Sequence, residues 1–129
     1  MARPVRFITF VDIDDWNIGP GQIAMSARHD MELDDGGLIL LLDDRGWAGM
    51  ATWSSQSPTV IRETARAVVG PDEPFGEWSR EDMEAGHWKF VQRRCQEQGA
   101  DISIAELERL PHEVVLSDRL VALLDENRG

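Results

Sequence analysis

Asp12 and Asp14 stand two residues apart where the apolar run of FVDIDDWN ends. Two carboxylates on one side of a strand end are the oxygen donors that a hard divalent cation takes. Asp15 and Trp16 follow directly, and they suit a different chemistry. Carboxylates beside an indole make a contact surface for a cationic protein, because the indole buries much area while losing few rotors. Asp43 and Asp44, in LLLDDRGW, and Trp78, in a Pro/Gly-rich loop, extend the same idea. The candidate partner-binding residues are therefore Asp12, Asp14, Asp15, Trp16, Asp43, Asp44 and Trp78, with no metal ligand assigned.

The three histidines, His29, His87 and His112, are spread along the chain. His29 precedes Asp30 and His112 precedes Glu113, yet adjacent strand residues point to opposite faces and make no catalytic dyad by adjacency. His87 falls on an apolar helical stripe with Met83, Val91 and Cys95, which reads as a hydrogen-bonded core histidine beside an inert thiol. There is no G-x-S-x-G, and the glycine pairs lack the spacing of a phosphate loop. No cofactor is expected, and no catalytic residue is assigned.

Charge narrows the partners. Net charge is −11, from 24 acidic and 13 basic residues. Between Asp12 and Asp44 nine acids face one base, Arg28, whereas the later half interleaves both signs. Phosphate backbones and anionic lipid are repelled by such a chain, so neither nucleic acid nor membrane is an expected ligand. A basic protein is. The longest apolar runs, such as GLILLL, are too short to cross a bilayer, and the N-terminal residues reach aspartates before a secretory core, which predicts a cytoplasmic protein. A lone cysteine makes no internal disulfide.

The elements that must position these residues change in period along the chain. VRFITFVDI is apolar on both faces and predicts an interior strand; QIAMSARHDMEL sets Ile23, Met25 and Ala27 on one face of a second. DDGG predicts a turn. LILLL and WAGMATW read as two further strands joined by a tight reversal at DDRG, so residues 22–53 predict a three-stranded antiparallel meander. From residue 57 the spacing turns helical. Ser57-Pro58 opens a helix that Gly70 ends, and Ser79 with Asp82 caps a longer one to about Gln98. SIAE starts a short helix that Pro111 stops, HEVVL forms a last strand, and Ser117 caps a terminal helix. Strands first and helices later predict one α+β domain over residues 1–129, an antiparallel meander of about four to five strands with two main and one or two short helices on one face.

Two functions fit. One is a small acidic protein-binding module, an inhibitor or immunity-type antitoxin that masks a basic partner. The other is a small enzyme or ligand-binding domain with a pocket between sheet and helices and a divalent cation at Asp12 and Asp14. Homodimerisation through an exposed strand edge stays open beside both.

Overall fold

A computed structural model of the chain describes residues 3–14, 22–50, 56–71 and 74–126. The first apolar run forms β1 (Pro4–Ile13), paired antiparallel with β2 (Gln22–Leu33), and β2 in turn with β3 (Leu38–Met50). The β2–β3 turn is built by its own residues: Gly36 takes φ 86, and the Asp35 carboxylate accepts the Gly37 N–H at 2.8 Å. A short β4 (His112–Leu116) returns to lie parallel to β1, giving the order β3-β2-β1-β4. The architecture is α+β, as the change of period predicts.

The reversal expected at DDRG does not occur. β3 runs unbroken through it, so among the described residues Asp43 lies within an edge strand and not in a turn, and the meander over residues 22–50 has two strands. Ala27 pairs with Arg45 and His29 with Leu42, so β3 takes three steps where β2 takes two. A second shift follows between His29 and Asp30. Asp-Asp-Arg-Gly suits a bulge as well as a turn, because both tolerate irregular backbone and solvated carboxylates. The bulges and charges also protect the edge from pairing with another chain.

Among the described residues four helices cover one face of the sheet: α1 (Pro58–Val68), α2 (Arg80–Glu97), α3 (Ile104–Arg109) and α4 (Asp118–Glu126). Their starts are set by serine caps. The Ser57, Ser79, Ser103 and Ser117 hydroxyls accept the N–H groups of Val60, Asp82, Glu106 and Leu120, and Asp82 completes a capping box by accepting the Ser79 N–H. Gly99 at φ 83 ends α2. No helix among the described residues is long and apolar enough to cross a membrane.

The core divides in two. Val11, Met25 and Ala27 pack with Ile61, Ala65 and Val69 of the α1 region and Leu120 and Leu124 of α4. Phe7, Met31 and Leu41 pack with Val91 and Cys95 of α2 and Leu107 of α3. Cys95 is fully buried, as its place on the stripe predicts, and burial pushes its thiol up in pKa. Between the halves, the inward row of β1 and β2 is polar. Thr9 stands between Phe7 and Val11, and its cross-strand partner His29 stands between Ala27 and Met31.

Candidate functional site

The polar row is where the chain's histidines meet. Strand pairing sets His29 opposite Thr9, and the parallel return of β4 sets His112 opposite Phe7. The Thr9 hydroxyl lies 2.8 Å from His29 Nδ1 and 2.7 Å from His112 Nε2. The rings of His29 and His112 are 5.1 Å apart, and Phe7 stacks on His29 at 5.2 Å and 12°. A hydroxyl has one proton to give, so Thr9 donates to one neutral imidazole and accepts from the other. The two ring nitrogens that Thr9 does not engage are then one donor and one acceptor, a pair whose sense reverses when the tautomers exchange.

Over this row, in the gap between α1 and α2, lies a cavity of about 200 Å³. Its walls include His29, His112, Arg66, His87 and Trp88, so all three histidines of the chain line one space. His87 and Trp88 arrive from α2, their rings 5.1 Å apart, and Trp88 reaches Phe7 at 6.0 Å. Burial holds His29 neutral, with its pKa down at about 3, and the proximity of His112 and His87 adds to this. His112 falls to about 4 through burial and the positive charge of Arg66. Imidazoles this hard to protonate are poor proton carriers at neutral pH but sound hydrogen-bonding groups. Among the described residues no cluster of three or more His, Cys, Asp or Glu side chains is placed to hold a metal.

A second cavity of about 380 Å³ adjoins the first and shares Gly70 and His87 with it. Leu42, Met83, Phe90 and Trp78 give it apolar walls, and Gly86 forms part of its floor on α2. Together the two fall within the roughly 300–1,000 Å³ typical of small-molecule sites.

Of the carboxylates singled out from the sequence, Asp12, Asp14 and Asp43 lie among the described residues with their side chains. Asp12 is clasped by α4: its Oδ1 accepts from Ser117 Oγ at 2.6 Å and Arg119 Nε at 2.8 Å, and its Oδ2 from Arg119 Nη2 at 3.1 Å. The Arg119 bond, helped by Ser117 and the Ile13 N–H, holds this carboxyl below the usual range. A cation here has to displace an arginine. Asp14 closes the strand pairing through its N–H to Ala24 O at 2.9 Å. Asp43 does share a broad depression of about 530 Å³ with Asp12, but Arg28 lines it too, its guanidinium 4.9 Å over the Phe10 ring. Trp78 lines the larger cavity of the histidine cleft and is 59% exposed. Asp15, Trp16 and the Asp44 side chain lie outside the described residues.

Sequence reasoning missed the histidine cluster. One signal was present: the alternation that turns Ile23, Met25 and Ala27 inward carries His29 inward as well. Compared with known protein families, curated proteins and solved structures, the chain matches none.

Proposed function

We propose that this chain is a binding domain for a small organic ligand, taken into the cleft between α1, α2 and the sheet and held there by neutral imidazoles. One observation carries the reading: three histidines distant in sequence line a single cavity, where a buried threonine bridges two of them. A polar row through the middle of a core costs stability that apolar side chains would not, and such exceptions concentrate at functional sites. The depressed pKa values favour binding over general acid–base catalysis. The test is a fragment screen read by NMR of the imidazole nitrogens. Fragments that bind should shift the resonances of His29, His87 and His112 together; binding that leaves all three unmoved, or no binding at all, removes the reading.

A second reading, the acidic module that masks a basic protein such as a nuclease toxin, is favoured by a different observation. Phe75 and Trp78 are 63% and 59% exposed beside the exposed Glu77, Glu81 and Glu84. Association with candidate basic toxins should slow with rising salt and weaken in Trp78→Ala. A rate indifferent to both ionic strength and the indole would count against it.

A further inference from the structure

Two ring nitrogens at the smaller cavity are left for a ligand. His29 spends Nδ1 and His112 spends Nε2 on Thr9, and among the described residues neither His29 Nε2 nor His112 Nδ1 has a hydrogen-bond partner. Yet no fully buried side-chain nitrogen or oxygen of the described residues lacks one. The two outer nitrogens are therefore not sealed in the core. His29 is only 3% exposed, so the little of its surface that is open includes Nε2, and it opens on the cavity that His112 also lines.

The threonine bridge fixes what these nitrogens can do. Thr9 is fully buried, and among the described residues its hydroxyl proton has the two imidazoles as acceptors. The imidazole that accepts this proton's hydrogen bond carries its own proton on the outer nitrogen, and the one that donates to the hydroxyl has a bare outer nitrogen. Two outer acceptors would strand the Thr9 proton in the core. Two outer donors would require an imidazolium, which the burial of both rings opposes.

We infer that the cleft takes a ligand with a lactam or amide edge, an N–H and a C=O side by side, paired with the outer nitrogens of His29 and His112. This rests on the ligand-binding reading and narrows it to one chemical class. An amide presents one donor and one acceptor, whereas a carboxylate offers acceptors alone and an ammonium donors alone, so that either leaves one outer nitrogen facing a like group. Exchange of the two tautomers through Thr9 lets the edge enter in either sense. The cavity of about 200 Å³ receives the edge, and the adjoining one, walled by Leu42, Met83 and Phe90, receives the rest of the ring system.

Calorimetric titration with 2-quinolone, coumarin and indole tests the class. Coumarin replaces the lactam N–H by a ring oxygen at nearly constant shape, and indole keeps an N–H but lacks the carbonyl. The lactam should bind at least about tenfold tighter than either. In its complex, imidazole nitrogen spectra should show one outer nitrogen protonated and the other bare. His112→Phe, which keeps a ring and removes the outer nitrogen, should erase the preference for 2-quinolone over coumarin. Equal affinities for lactam and lactone in the unaltered protein overturn the amide assignment, and a preference that survives in His112→Phe, or two protonated outer nitrogens in the complex, overturns the pairing. The nitrogen spectra need no variant, so they decide the pairing even if His112→Phe fails to fold. If 2-quinolone does not bind while other fragments shift the resonances of all three histidines, the ligand class is wrong and the binding site stands. Silence from both removes both.

Discussion

Thr9 is fully buried, and its hydroxyl is the hydrogen-bond partner of one nitrogen on each of two imidazoles. Valine in its place keeps the shape and leaves both nitrogens without that partner inside the core. A buried polar group stripped of its bond costs about 1–3 kcal/mol, so Thr9→Val should lower the unfolding free energy by that amount, read as a lower urea midpoint with little change in slope. An unchanged midpoint would mean that water replaces the hydroxyl. The same row sets the pH dependence. His29 and His112 have folded pKa values near 3 and 4, below the ordinary 6.5. Above about pH 6.5 they are neutral folded or unfolded, and the full stability is present. As pH falls below that value the unfolded chain binds protons that the folded chain refuses. Stability therefore drops, and the loss levels off only near pH 4 and 3. For His29 alone this amounts to about 2 kcal/mol between roughly pH 6.5 and pH 5. Urea titrations across that range should show the fall, and His29→Gln, which keeps a hydrogen-bonding side chain without the titration, should remove its share and leave that of His112.

At the scale of elements, α2 carries the clearest contradiction between propensity and use. Its interior glycine has open space where a side chain would be, so Gly86→Ala should stabilise the fold by roughly 1 kcal/mol, read as a higher melting temperature. A loss of stability would show that the helix needs its glycine for packing. The caps of this helix and its neighbours were legible, because Ser-x-x-Asp and Ser-Pro act within one turn and need no distant partner. The inward set of β2 was legible for the same local reason. DDRG was not, since the residues that reverse a chain are also those that fill a bulge, and the choice is made by pairing along the whole of β2. Least visible of all was the return of β4. The contacts of Thr9 with His112 span 103 positions, and nothing local specifies which strand a five-residue segment will join. The histidine cluster depends on that pairing, so its members could be read one by one but not as a site. The edges, too, need the fold to be judged: Arg94 of α2 donates to Leu40 O of β3 at 2.8 Å, covering part of the row that a second chain would use.

For the molecule as a whole, the sequence states how much charge there is and the fold decides where it goes. The described acids between Asp12 and Asp43 are distributed over both ends and the body of the sheet. Asp12 is tied to Arg119 at one end, Asp35 closes the turn at the other, and Glu32 and Asp30 meet Arg6 and Arg28 along the strands. These pairs are mostly half exposed, and such links contribute only about 0–1 kcal/mol each. Against them stands the self-repulsion of a net −11, which acts over longer distances and is present at every pH well above the pI of about 4.5. Salt weakens both effects, but the repulsion sums over every unpaired acid whereas the attraction is confined to a few short contacts. Raising sodium chloride from about 0.01 M to 0.2 M, where the screening length shrinks from roughly 30 Å to below 10 Å, should therefore stabilise the protein. The urea midpoint at pH 7 should rise with salt and rise less in Asp43→Asn, which removes an exposed carboxylate from a strand edge. A midpoint that falls with salt would mean that the paired charges, Asp12 with Arg119 foremost, outweigh the net charge in holding the chain folded.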